Sequence, residues 1–389
     1  MKANYPINKF KDIDTPFYYY DLEVLRETLS EINNQIQDMP FLVHYALKAN
    51  VNPKLLKVIK DAGLGADCVS GGEIQAAIDA GIEPEKIAFA GVGKADWEIN
   101  LALDHDIFCF NVESIPELEV INELAGSKNK TAAVALRINP DIDAHTHHKI
   151  TTGLNENKFG INMEDMGKVV SLLPTLSNIN VIGVHFHVGS QITDMTVFQD
   201  LCVRLREIQK FFTDSNIQLK HFNVGGGLGV NYEHPNHFPI PDFEAYFKIF
   251  KAHVILLPGQ TLHFELGRSI VAQCGALISK VLYVKEGVQK NFVILDAGFT
   301  ELIRPAMYGA YHRIENLTSE LPEEEYDVVG PICESSDVFA KDYYINKPRR
   351  GDIMAIRTAG AYGEIMASQY NLRELPKSYT SDELSPVDA

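Results

Sequence analysis

Cysteine is scarce in this chain, five in 389 residues. Cys68, Cys109, Cys202, Cys274 and Cys333 are odd in number, far apart, and form no C-x-x-C pair. That excludes a disulfide framework and a structural zinc site, and suits a reducing cytosol. Positive charge is short as well: 35 Lys and Arg face 52 Asp and Glu, a net charge of −17. So acidic a surface repels a phosphate backbone and excludes a general nucleic-acid binder. No apolar run approaches the roughly 18 residues of a membrane span, and Met1–Pro6 has no apolar stretch of a secretory signal. Repeats and low-complexity linkers are also missing. A soluble, cytoplasmic protein is expected.

What is present is a large core and a regular alternation. Hydrophobic residues make up 46% and charged residues 22%, the balance of a globular protein. Short β-branched or aromatic runs occur at 41–46, 65–69, 87–90, 107–111, 132–138, 180–187, 219–224 and 261–265. Between them lie helical patterns such as 53–62, which has Pro at its first turn and Gly63 behind it. Eight strand-then-helix units predict a parallel (β/α)8 TIM-like barrel over residues 24–266. After Gly267 short strands dominate, so 267–389 is expected to form a mostly β domain that also takes an N-terminal strand from residues 1–23. The polar end from Lys377 to Ala389 reads as a disordered tail.

In a barrel, chemistry gathers at the C-terminal ends of the strands. Lys48 follows the first strand, Asp67 closes the second, and Arg137 and Asn139 end the fifth. His185 and His187 end the sixth, Gly225-Gly226-Gly227 follow the seventh, and Glu265 ends the eighth. Most loop lysines are merely solvated, but a lysine between an apolar strand and a helix start loses its charge readily and becomes a Schiff-base nucleophile. Two histidines two apart on a strand share a face and could hold zinc. The neighbouring positions offer Lys, Arg and Gly rather than further ligands, so no metal is expected. His187-Val188-Gly189-Ser190 suits an imidazole lying flat on a ring, followed by a hydroxyl for a phosphate. The glycine turn lacks G-x-x-x-x-G-K-[ST], yet it stands where barrels commonly bind phosphate through bare backbone N–H groups. Glu265-Leu266-Gly267-Arg268 offers a carboxylate for a ring nitrogen and a guanidinium for an anion, or simply an internal ion pair. His145, His147 and His148 read as solvated loop histidines. In the second domain Arg304 and Tyr308 lie four apart and could share one carboxylate if helical. Cys333 adjoins Glu334, and Tyr362 sits in a glycine-flanked turn.

Taken together, Tyr45–Asn50, His187–Ser190, Gly225–Gly229 and Glu265–Arg268 resemble the fold type III PLP-dependent decarboxylases, which include enzymes for ornithine, arginine and diaminopimelate. The resemblance runs from about residue 15 to residue 372. Arg304–His312, Cys333–Asp337 and Ala359–Gly363 resemble the diaminopimelate branch. It implies pyridoxal 5'-phosphate attached at Lys48 and His187 stacked on its ring. Ser190 and Gly225–Gly227 hold its phosphate, Glu265 pairs with its ring nitrogen, Gly267 and Arg268 also bind the cofactor, and Asp67 and Arg137 support the site. It further implies Arg268, Arg304 and Tyr308 on a distal substrate carboxylate and Glu334 on a distal ammonium. Tyr362 touches cofactor and substrate, and Cys333 returns a proton. Cys333 and Glu334 come from the second subunit of a homodimer in that family. Leu266 stands where the family usually has proline, a departure that touches the backbone more than the chemistry. A decarboxylase of another diamino acid, a racemase and a metal-dependent barrel hydrolase are the alternatives.

Overall fold

Hydrophobic alternation has a direct outcome: eight short apolar runs become eight parallel strands closed into a ring. In a computed structural model, which describes residues 5–140, 142 and 158–384, the strands are Phe41–Ala46, Gly65–Cys68, Ile87–Phe89, Cys109–Val112, Ala132–Asn139, Ile179–His185, His221–Asn223 and Thr261–Leu266. Each pairs with its chain neighbour, and the eighth returns to the first with Glu265 opposite His44. A two-residue strand, Ile161–Asn162, lies beside the fifth. The histidines at 145, 147 and 148 fall outside the described residues. The sixth strand ends at His185, two residues short of the sequence expectation, so His187 stands beyond the sheet.

Local chemistry explains where the helices begin. Asn52 accepts a hydrogen bond from Lys54 N and Pro53 fills the first turn of helix Pro53–Asp61, satisfying orphan N–H groups as a cap must. Ser70 and Ser114 cap Gly71–Asp79 and Ile115–Ser127 in the same way. Leu55, Leu56 and Ile59 line the buried face of the first of these helices, and each contributes about 1.5–3 kcal/mol by burial. Gly63 and Gly81, at φ of +85° and +82°, let the chain turn back through a left-handed conformation that would strain the backbone of any residue with a side chain.

One compact unit comprises Leu29–Gly229 and Asp242–Gly267, the other Met1–Thr28, Val230–Pro241 and Arg268–Ala389. The second holds a sheet built on the long strand Gly275–Glu286. A break in register between Val281 and Tyr283 lets that strand pair with Ile353–Ile356 and Phe17–Tyr20 at one end and Asn291–Leu295 at the other. Phe10, Phe17, Tyr19, Ala276, Ile278, Ile353 and Ala355 form a core on it. Lys377–Thr380 pairs in parallel with Phe17–Tyr20 and leads into helix Ser381–Leu384. The expected disordered tail is therefore wrong as far as residue 384: Ser378, Tyr379 and Thr380 gain backbone partners that composition does not reveal. Among the described residues no helix is long and apolar enough to cross a membrane.

The barrel interior carries an unforeseen stack of imidazoles. His44 Nδ1 lies 3.1 Å from the Lys86 carbonyl, which can only accept, so Nδ1 carries the proton. His44 Nε2 then accepts from His263 Nδ1 at 2.9 Å, and His263 Nε2 is met by Thr261 Oγ1 and His221 Nδ1 at 2.8 and 3.0 Å. His44 and His263 stack on Phe108. Burial pushes all three histidines below their ordinary range. The unfolded chain therefore takes up protons below about pH 6.5 that the folded chain refuses, so this cluster's contribution is lost as pH falls through that value. His263→Phe keeps the stacking and removes one such group. The variant is expected to be less stable at pH 7, yet to lose less stability than the parent between pH 7 and 5.5. Parallel denaturation profiles for the two would exclude this role.

Candidate active site

Lys48 sits in the single 3-10 turn Leu47–Ala49 that leaves the first barrel strand. The turn is fastened by Tyr45, whose hydroxyl donates to the Asn50 carbonyl at 2.8 Å. Lys48 Nζ lies 3.8 Å from Asp67 Oδ2. Asp67 is 1% exposed, and neither of its carboxylate oxygens accepts a hydrogen bond from the described residues. Burial, and then the charge of Glu265, push its carboxyl up to about 8, with Lys48 pulling the other way.

Glu265 has the opposite environment. Its Oε1 accepts from Asn111 Nδ2 at 3.0 Å and Asn223 Nδ2 at 2.7 Å, and its Oε2 lies 2.9 Å from His185 Nε2. Burial alone would raise this acid, but His185, then Lys48 and His187, outweigh it and hold it below the usual carboxylate range. The two carboxylates are thus driven apart, one ionised and one inclined to keep its proton. Asn223 also accepts from Gly225 N at 2.9 Å, so one side chain ties the acid to the glycine turn.

That turn tolerates no side chain. A Cβ at Gly225 would collide with the Phe186 carbonyl, at Gly226 with the Glu265 carbonyl, and at Gly227 with the Gly189 carbonyl. Ile192 N donates to Gly227 O at 2.8 Å and Gly229 N to Ile192 O at 2.9 Å, which docks the loop carrying Ser190 against the glycines. Gly267 packs at 3.1 Å from the β-carbons of Ala46 and Ala49. Burial, then the cations Lys48 and Arg137, hold His187 well below its ordinary range, so its ring is neutral. Arg137 lies 2.8 Å from Glu113 Oε1 and 4.9 Å from the Phe159 ring.

Arg268, Arg304, Tyr308 and Tyr362 belong to the β-rich unit. Arg304–Tyr308 is a short helix, as the four-residue spacing allowed, and the Arg304 guanidinium lies 6.0 Å from the Tyr308 ring. Arg268 donates to Tyr232 Oη at 2.6 Å and lies 4.9 Å from the Tyr362 ring. Tyr362 takes a φ of +56°, a costly conformation that clusters at functional positions. Cys333 and Glu334 occupy an exposed loop. Asp337 holds it through Ile332 N and Phe299 N, Asn371 accepts from Cys333 N at 3.0 Å, and Tyr370 donates to Glu334 Oε1 at 2.6 Å. Cys333 is exposed, and the other four thiols are buried.

Three residues at the barrel site escaped sequence reasoning: Asn111, Asn223 and Glu113. Their one trace is a polar residue inside or just after an otherwise apolar strand. Among the described residues no group of three His, Cys, Asp or Glu is placed to hold a metal.

A half-exposed lysine beside a carboxyl with orphaned oxygens, an ionised acid deep in the barrel and a bare glycine turn define a pyridoxal-binding barrel. In agreement, residues 22–272 match the family model of the pyridoxal-dependent decarboxylases, pyridoxal binding domain. The curated diaminopimelate decarboxylase of Bacteroides thetaiotaomicron is 63% identical over 385 residues, covering 99% of this chain and 100% of that one. That of Aquifex aeolicus is 40% identical, covering 92% and 84%. The crystal structure of diaminopimelate decarboxylase from Helicobacter pylori complexed with L-lysine superposes with a TM-score of 0.90 at 40% identity, covering 96% and 93%. The chain belongs to the pyridoxal-dependent decarboxylases, in the diaminopimelate decarboxylase branch.

Glu113 generates a test. Its Oε1 takes Arg137 and Gly91 N, and its Oε2 takes Gly160 N. Glu113→Ala strands a buried guanidinium and is expected to cost about 3–5 kcal/mol. Chemical denaturation measures this, and a loss of under about 1 kcal/mol would show the pair to be dispensable.

Proposed function

We infer that the protein uses pyridoxal 5'-phosphate to decarboxylate meso-2,6-diaminopimelate to L-lysine and carbon dioxide, the closing reaction of lysine biosynthesis. The observation that carries the chemistry is the buried Glu265, held ionised by Asn111, Asn223 and His185. When bound, the cofactor supplies an electron sink for the pair released as carbon dioxide leaves, and it does so best with its ring nitrogen protonated. Glu265 keeps a proton at that nitrogen because an ionised carboxylate beside it stabilises the positive charge of the protonated ring. The orphaned oxygens of Asp67 and the side-chain-free turn at Gly225–Gly227 fit the same group.

The remaining roles follow from this reading. Lys48 attaches the cofactor, with Asp67 beside its Nζ. His187, neutral and partly buried, packs on the ring. Ser190 and the backbone N–H groups of Gly226 and Gly227 receive the phosphate, the Gly225 N–H being taken by Asn223 Oδ1. Gly267 also lies against the cofactor, and Arg137 is steadied for its supporting role by Glu113. Arg268, Arg304 and Tyr308 bind the distal carboxylate, with Tyr362 touching cofactor and substrate. Glu334 takes the distal ammonium, and Cys333 Sγ delivers a proton to the carbon that has lost its carboxylate.

The active unit in this reading is a cytoplasmic homodimer in which Cys333 and Glu334 serve the partner's site. Their exposure on the chain that carries them supports this, and five free thiols suit a reducing compartment.

Carbon dioxide release is to be measured side by side from meso-diaminopimelate, ornithine, arginine and lysine. Turnover of meso-diaminopimelate alone is expected, and preference for another of the four would overturn the assignment. The holoenzyme should be yellow and fixable by borohydride at Lys48. Lys48→Ala is expected to lose that band, and an unchanged spectrum would mean that another lysine carries the cofactor.

A further inference from the structure

Arg304 is 7% exposed, and its charge is set among aromatic rings: Tyr232 at 5.6 Å and Tyr308 and Tyr362 at 6.0 Å. Among the described residues no carboxylate pairs with it, and the charged side chain that bears on it, Arg268, is of its own sign. A buried cation without a counter-ion is costly, so the site is built to receive an anion. How that anion meets the guanidinium depends on which nitrogens are free.

Arg304 Nε lies 3.3 Å from His312 Nε2, and His312 Nδ1 lies 2.9 Å from the Arg357 carbonyl. A carbonyl only accepts, so Nδ1 carries the ring proton and Nε2 presents the lone pair that the Arg304 Nε–H needs. The imidazole is 2% exposed and is held edge-on against Tyr232, with ring centres 5.1 Å apart. Burial, and then Arg304, push it down to about 3, so it is neutral at any working pH. A carboxylate in its place would orient the arginine equally well but would cancel its charge. A neutral imidazole fixes the side chain and leaves the charge for the ligand.

A guanidinium can grip a carboxylate along its Nε edge or across its two terminal nitrogens. We propose that His312 is a positioning residue that occupies Arg304 Nε and so turns its two terminal nitrogens to a substrate carboxylate end-on. This rests on the reading of Arg304 as the partner of the distal carboxylate. Tyr232 shares the task, bracing His312 on one side and accepting from Arg268 on the other.

The test uses two amines on the holoenzyme: L-lysine, which keeps the distal carboxylate, and cadaverine, which has none. Inhibition constants are compared for the parent, Arg304→Met, His312→Asn and His312→Gln. The Asn amide stands at the level of Nδ1 and falls short of Arg304, whereas the Gln amide reaches the level of Nε2 and can accept from Arg304 Nε. His312→Asn is expected to weaken L-lysine and to raise KM for meso-diaminopimelate on the order of tenfold, the worth of one charged hydrogen bond. Cadaverine should stay within about twofold, and kcat should change less than KM. His312→Gln should restore L-lysine binding. Loss of both amines alike in His312→Asn, or no loss of either, while Arg304→Met weakens L-lysine, would overturn the positioning role and leave the Arg304 assignment standing. If Arg304→Met leaves L-lysine binding unchanged, the Arg304 assignment fails and the role of His312 falls with it.

Discussion

The constraint on which the barrel depends is a carboxylate that must stay ionised where water cannot reach it. Taking such a group out of water costs several kcal/mol unless each lone pair finds a donor. Glu265 meets that demand through Asn111, Asn223 and His185, which come from the fourth, seventh and sixth strands. Because a barrel interior is packed in layers, those strands must each give up an apolar interior position. Asn223 also receives Gly225 N–H, so the acid and the glycine turn share one support and neither can be repositioned alone.

Asp67 shows that the same barrel can do the reverse with the same chemical group. Without hydrogen-bond donors among the described residues and with the Glu265 charge nearby, it is drawn toward its neutral form. Two acids so close cannot both be cheaply ionised, and the donors decide which one is. Lys48, 3.8 Å from Asp67, therefore sits next to an acid whose charge depends on Glu265.

The chain's net charge of −17 makes the handling of anions a local matter. In the barrel, the turn at Gly225–Gly227 presents backbone where any side chain would clash. In the β-rich unit, Arg304 and Arg268 lie buried among tyrosines that ease the burial of a cation without neutralising it. Neither feature shows in a count of charges, and burial strengthens the field of the few groups involved.

The sequence by itself determined much of this protein. Strand and helix periods predicted the barrel, and the polar residues after the strands singled out Lys48, Asp67, Glu265 and the glycine turn, because period and turn chemistry are local properties of the chain. Family resemblance extended this to the cofactor. Tertiary structure alone decided the rest. Asn111 and Asn223 look like ordinary strand residues until ring closure brings them to Glu265, 154 and 42 residues away in the chain. The segment Val230–Pro241 counts with the β-rich unit although it interrupts the barrel sequence. Lys377–Thr380 has the composition of a tail and becomes a strand only because Phe17–Tyr20 offers it backbone partners. His312 follows the Arg304 helix in sequence, but its proton is placed by a carbonyl 45 residues further on. Each depends on a contact distant in sequence, and no local pattern of residues encodes such a contact.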